Sequence, residues 1–434
     1  MKTLRYTLII LLIILLYGSI QLYRTIPNDY RFKPSGYHVF VPESTDLPFQ
    51  NYIQVNQTRI KSALKPFFEK NPTPYPAKYT LDYISQQAAP FEISPSNLQK
   101  PSLAKGHKTG FIFIHGLGKT ARDFRPIATE LHKRYPQSLM RGLLLSGHGT
   151  VIGDSLHTHR NQWRKSVNYT IASMKDKVDN LYLIGYSAGA TLIVDYLQHH
   201  PSINNFTIKG LVLIDPGLGA QSITAKFTPW IRRLFPFDDV FDDHAPLTYT
   251  SWTHNLSAEY IRLIDEISPL KKNKTPTFMV LSTDDDTIDT DKALEYFCHK
   301  STNPTNKLIL FQGTKPAHNR CQGIHVYQVK DYPKRQQQFR FINLSHKASI
   351  NSPDDPLFGF DKWYRNCNHY NQPSDSFEKC KSDNKATVYG SLSLNNHPEE
   401  LKGRLFRRIE FNPFYPEMMS LIKDFIDQEQ TASS

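Results

Sequence analysis

The sequence contains no long run of Lys or Arg, no internal repeat and no low-complexity tract. The first absence matters because 52 Lys and Arg against 40 Asp and Glu leave a net charge of +12. With the basic residues scattered and no nucleic-acid motif present, that charge reads as a solvated surface, with attraction to anionic phospholipid as the second reading. The other two absences exclude a solenoid and a disordered chain. Cysteine is scarce, with four in 434 residues. None forms a Cys-x-x-Cys pair, which argues against a zinc site. All four (Cys298, Cys321, Cys367, Cys380) lie in the last third of the chain and admit three connectivities. The expected pairing is local, Cys298 with Cys321 and Cys367 with Cys380, and disulfides fit a body outside the cytoplasm. Four free thiols are the alternative for a cytoplasmic body.

What is present starts with a hydrophobic fraction of 39% and an aromatic fraction of 12%, enough for a sizeable core. Lys2 and Arg5 precede an uninterrupted Leu/Ile run at residues 8–16. Its length suits either a signal-peptide core or a short spanning helix. No Ala-x-Ala-like cleavage site follows, and Tyr17, Tyr23 and Arg24 read as interfacial anchors. The expectation is an uncleaved signal anchor over residues 1–26 with the body extracytoplasmic, periplasmic in a Gram-negative source.

Residues 27–107 are rich in Pro, Tyr and polar residues and read as a lead-in. They hold one amphipathic helix near residues 52–70 and one strand near Phe91. From residue 108 short apolar strands alternate with helical periodicities. Strands are expected at 111–114, 139–145, 181–184, 211–214, 278–281, 307–311 and 339–344, and a closing helix runs through Met418, Leu421, Ile422 and Phe425. This alternation predicts an α/β class, a mostly parallel sheet with helices on both faces. It breaks at residues 221–272, which read as a helical insertion.

The chemistry centres on Gly185-Tyr186-Ser187-Ala188-Gly189, which follows the apolar run Leu181-Tyr182-Leu183-Ile184 and opens a helical stretch. A serine hydroxyl is a weak nucleophile until it is held exposed beside a base, and a strained strand–turn–helix corner with small neighbours holds it so. The plain alternative is an ordinary strand–helix turn. A nucleophilic serine needs an oxyanion hole, an acid and a base at the carboxyl ends of strands. His115-Gly116-Leu117-Gly118 follows the 111–114 strand and supplies the turn, so the amides of Leu117 and Ala188 are assigned to the oxyanion. His115 and His148 read as loop-shaping residues. For the acid, the 278–281 strand runs into Asp284-Asp285-Asp286; Asp285 is favoured, with Asp284 and Asp286 as alternatives. For the base, His346 directly follows the expected 339–344 strand and is favoured over His318, which sits in a longer basic loop. Ser187 with Asp285 and His346 requires no metal and no organic cofactor.

These pieces resemble the α/β-hydrolase superfamily, and within it serine esterases of the monoacylglycerol lipase and lysophospholipase type. The matching text is His115-Gly116-Leu117-Gly118, Leu145-Ser146-Gly147-His148-Gly149, the Gly185–Gly189 elbow and Ser282-x-x-Asp285-x-x-Ile288. The resemblance implies Gly-x-x-Asp-x-x-Val-like text around the acid, which supports Asp285, although Ser282 stands where the family has glycine. It identifies the 221–272 insertion as a cap over the serine and residues 351–404 as an extra Cys-containing loop beyond the compact lipases, and Ser352-Pro353-Asp354-Asp355-Pro356 after His346 is similar to a bacterial, membrane-anchored subgroup. The implied substrate is a lipid-like acyl ester, monoacylglycerol or lysophospholipid in type. Amide or thioester cleavage on the same fold, or a non-catalytic anchored binding protein, are the competing readings.

Overall fold

The computed structural model describes residues 28–71, 75–96, 108–201, 205–219, 224–241, 245, 247–311, 321, 325–328 and 332–431, with Arg5, Tyr6, Ile9 and Leu12. The anchor expected at residues 1–26 and His318 fall outside them, apart from those four positions. Among the described residues no helix is long and apolar enough to cross a membrane.

The twelve strands among the described residues are β1 (Phe91–Ile93), β2 (Thr109–Ile114), β3 (Leu139–Gly142), β4 (Asn180–Tyr186), β5 (Thr207–Ile214), β6 (Phe237–Asp239), β7 (Trp252–Thr253), β8 (Thr277–Ser282), β9 (Lys307–Phe311), β10 (His325–Gln328), β11 (Thr387–Gly390) and β12 (Leu405–Arg408). Eight of them form one sheet in the order β1-β3-β2-β4-β5-β8-β9-β10, parallel except for the antiparallel β1 edge. Side-chain alternation covers both faces. Phe111, Phe113, Tyr182 and Ile184 pack toward the helices Arg125–Arg134 and Tyr415–Thr431. Ile112, Ile114, Leu181 and Leu183 pack on the opposite face toward Arg160–Ala172 and Ala188–His199. A sheet buried on both faces needs the near-continuous apolar strands that the sequence provides.

The lead-in is tied to this sheet. Its helix Phe49–Lys70 sends Tyr52 under the core, where the hydroxyl donates to the Leu144 carbonyl at 3.0 Å and accepts the Leu144 N–H at 3.3 Å. It also contributes β1, so the expected boundary at residue 107 is not a packing boundary.

One expected strand is absent. Residues 339–344 end the helix Tyr332–Phe339 and continue as irregular chain. Phe339, Phe341 and Leu344 are buried as a strand pattern would have them, but Arg340 takes φ +47 and, among the described residues, the pairing is one bridge from Phe341 to Tyr389. The edge position is filled by β10, which periodicity did not reveal, and the short helices Leu81–Ala88 and Thr290–His299 were likewise unforeseen. Both cysteine pairs are local, Cys298–Cys321 and Cys367–Cys380. The second lies in the extra segment, which carries a helix (Asp375–Ser382) and the parallel pair β11 and β12.

Candidate active site

β4 ends at Tyr186, and Ser187 turns the chain with φ +54 and ψ −122 before the helix Ala188–His199 begins. That corner is strained for a residue with a Cβ, and it holds because its surroundings over-determine it. A Cβ on Gly185 would stand 2.6 Å from the Ala190 nitrogen, and one on Gly189 would stand 2.0 Å from the Ile114 carbonyl oxygen. The small residues of the elbow are thus imposed by backbone contact. The Ser187 N–H donates to the Ile214 carbonyl at 2.8 Å, locking the turn to β5.

Around this serine the structure brings together the three residues expected from sequence. The Ser187 hydroxyl lies 2.8 Å from His346 Nε2, and His346 Nδ1 lies 2.6 Å from Asp285 Oδ2. Asp285 Oδ1 accepts the amides of Thr287 and Ile288 at 2.8 and 2.9 Å, which fixes the carboxylate and leaves Oδ2 for the imidazole. His346 opens a short 3-10 turn, stacks on the Tyr186 ring with centroids 5.2 Å apart, and has its carbonyl held by the Tyr186 hydroxyl at 2.9 Å. Burial alone would push the imidazole pKa down, but the adjacent Asp285, with Asp215 and Asp286 beyond it, raises it above 6.5.

The three neighbouring acids separate by partner. Asp286 Oδ1 accepts from Arg408 at 2.6 Å and Oδ2 from the Leu392 amide at 2.8 Å. Against its burial, Arg408 and that amide hold the Asp286 carboxyl at about 2. Asp284 is buried with its charge felt by Tyr332, its own amide donating to the Ser282 hydroxyl at 3.2 Å.

The oxyanion turn is braced from behind. His115 Nδ1 donates to the Gly116 carbonyl at 2.8 Å, and its Nε2 accepts the Leu145 amide at 3.0 Å. Burial and His148 drive the His115 pKa down to about 3, so the ring stays neutral. His148 binds the Ser146 carbonyl through Nδ1 at 3.0 Å. Both histidines shape loops, as expected. A Cβ on Gly116 would stand 2.9 Å from Ser187 Cβ, so glycine lets this turn sit against the serine. Leu117 lines the same cleft as Ser187 and His346, and Ala188 is the first helical residue, whose amide has no partner within its own helix.

Sequence reasoning did not assign Asp215. It directly follows β5 at φ +43, fully buried, with a carboxylate oxygen within 4.8 Å of ring or carboxylate atoms of Asp285 and His346. Burial and the Asp285 charge push its carboxyl up to about 8. An acid at the end of a strand next to the one carrying Asp285 was the available signal.

The cleft over these residues measures about 530 Å³. No protein-family model matches the chain. Over 130 residues the chain is 30% identical to the thermostable monoacylglycerol lipase of Bacillus sp. (strain H-257), a stretch amounting to 30% of this chain and 49% of the lipase. The chain thus spans about half the length of the curated relative it matches. Among solved structures, the monoacylglycerol lipase of Paleococcus ferrophilus is similar at 14% identity and a TM-score of 0.41, over 58% of this chain and 94% of that one. A soluble variant of the monoglyceride lipase of Saccharomyces cerevisiae, in complex with a substrate analog, is similar at 15% identity and a TM-score of 0.40, over 52% and 82%. With a parallel sheet whose fourth strand in sequence runs into a strained serine elbow, and an acid and a histidine following that serine in chain order, this chain has the α/β-hydrolase fold.

Proposed function

We propose that the protein is a serine hydrolase of carboxylic esters, acting on lipid-like substrates of monoacylglycerol or lysophospholipid type through an acyl-enzyme on Ser187. The observation that carries this reading is the unbroken chain of short contacts, 2.8 Å from Ser187 Oγ to His346 Nε2 and 2.6 Å from His346 Nδ1 to Asp285 Oδ2.

In the proposed cycle, neutral His346 accepts the hydroxyl proton as Ser187 attacks the ester carbonyl. The carbonyl oxygen becomes negative, and the amides of Leu117 and Ala188 donate to it. Each such donor typically contributes about 3 kcal/mol to the transition state. Asp285 stabilises the imidazolium, which then gives its proton to the departing alcohol. Water, deprotonated by His346, releases the acid and restores Ser187.

The lipid-like character of the substrate is supported by the cap side of the cleft, where Phe241, Trp252, Tyr260 and Ile261 line the approach to Ser187. It is also in line with the similarity to a monoacylglycerol lipase. Membrane anchoring through residues 1–26 and an extracytoplasmic body are part of the same proposal. They rest on the apolar run at residues 8–16 and on the two disulfides.

A panel of p-nitrophenyl esters of increasing chain length, run beside aminoacyl anilides, tests the reaction class. The expected result is turnover of the esters with little on the anilides. Faster turnover of the anilides would replace the esterase reading with an amidase.

A further inference from the structure

The cleft beside Ser187 has two unlike walls. The cap wall carries Phe241, Tyr249, Trp252, Tyr260 and Ile261, with Asp238 and three hydroxyl side chains among them. The facing wall comes from the disulfide-stapled segment that follows His346, and it presents Asn366, Asn368, His369 and Arg408 together with Lys347. This wall is built rather than incidental. Asn366 and Asn368 flank Cys367, which is tied to Cys380. Asn366 Nδ2 donates to Glu410 Oε1 at 2.6 Å, and the Arg408 amide donates to the Asn366 carbonyl at 2.9 Å. The His369 ring stacks on Phe406 with centroids 4.0 Å apart.

Two of its cations, Lys347 and Arg408, reach the cleft. Arg408 is matched by Asp286 at 2.6 Å. Glu410 serves both Lys119 at 3.4 Å and Lys347 at 3.5 Å. The further carboxyl near Lys119 is Asp123 at 3.8 Å, fully buried, where burial disfavours its charged form. Asp286 and Glu410 are held in their charged form by these cations. Lys119 is sealed in, with 3% of its side chain exposed, whereas Lys347 keeps 23% and Arg408 13%. Lys347, one residue from His346, and Arg408 thus open onto the cleft, which Asp286 and Asp238 also line. Burial pushes the Lys347 ammonium down to about 8, and an anion in the cleft would offset that penalty.

We propose that this wall is a subsite for the alcohol half of the ester, and that Lys347 and Arg408 select an alcohol half bearing a phosphate. The inference rests on the ester-hydrolase reading. It gives the amphipathic cleft a matching substrate, with the acyl chain against the cap and the anionic head against the stapled segment. Charge-assisted bonds to phosphate oxygens suit both cations.

The test compares fatty-acid release from lysophosphatidate and from a monoacylglycerol of the same acyl chain, both monomeric, with p-nitrophenyl butyrate as a headless control. The wild-type kcat/KM should favour the phosphate ester by about tenfold or more, carried by KM. Lys347→Gln should collapse that ratio toward one and Lys347→Arg should retain it. Because the ratio is internal to each variant, a poorly folded variant lowers both rates and leaves it interpretable. Wild-type enzyme that cleaves p-nitrophenyl butyrate but shows no preference, or an undiminished preference in Lys347→Gln, would overturn the subsite while leaving the hydrolase standing. Failure to cleave any of the three esters would instead remove the reading beneath it.

Discussion

At the level of single residues, the state of His346 governs the pH response. Its imidazole is raised above 6.5 by Asp285, and the base must be neutral to take the Ser187 proton. The rate should therefore fall as pH drops through that raised pKa, with the acid limb of kcat/KM above that of a free imidazole. Asp285→Asn removes the nearest charge, so the limb should move to lower pH while kcat drops by about 10³–10⁴. A pH–rate profile of both proteins checks this, and an unmoved limb would show that Asp285 does not control the base. The elbow allows a second residue-scale test. Gly189→Val places a Cβ where the Ile114 carbonyl stands, 2.0 Å away, so it should fail to accumulate as folded protein by circular dichroism. Ser187 was legible because its neighbours are dictated by local backbone contact, which a short motif records. The choice of Asp285 over Asp286 was less so. The residue that occupies Asp286 is Arg408, 122 positions away, and no local pattern announces that pairing.

Among elements, the strands and helices flanking the elbow follow their periodicity because each is buried on a regular face. The approach to His346 does not. Phe339, Phe341 and Leu344 have a strand's apolar spacing, yet the chain there is held by the packing of Tyr389, Phe360 and Phe411 rather than by a ladder. Buried side chains at strand-like spacing say which residues face the core but not what their amides bond. The stapled segment behaves similarly: its two cysteines were visible, whereas its use as a cleft wall depends on the contacts of Asn366 and Arg408. Replacing Cys367 and Cys380 by serine opens a loop whose ends are 13 residues apart, which should cost about 3 kcal/mol and lower the melting temperature. The same variant should raise KM for lipid esters more than for p-nitrophenyl butyrate, since Asn366 and Asn368 lose their fixed position. Equal KM changes would show that the segment stabilises the fold without shaping the cleft.

For the molecule as a whole, the lead-in is part of the hydrolase body rather than an appendage. β1 covers the edge of β3, and the Tyr52 hydroxyl both accepts from and donates to Leu144 beneath the loop that follows β3. Ile60 and Ile84 join Leu144, Leu247 and Leu357 in one buried cluster, linking lead-in, cap and stapled segment. Tyr52→Phe strands both Leu144 backbone groups, a loss of about 1–3 kcal/mol by urea unfolding. No measurable loss would separate the lead-in energetically from the body. None of this could be read from residues 27–107, whose composition has no strong period because their partners lie elsewhere in the chain.

The central claim, that Ser187 is a nucleophile activated by His346, is tested most directly by labelling the purified protein with a fluorophosphonate and locating the adduct by mass spectrometry. The account predicts a single adduct on Ser187, absent in Ser187→Ala and slowed by about 10³-fold or more in His346→Ala. Well-folded wild-type protein that takes no label, or a label that persists in Ser187→Ala, would contradict it.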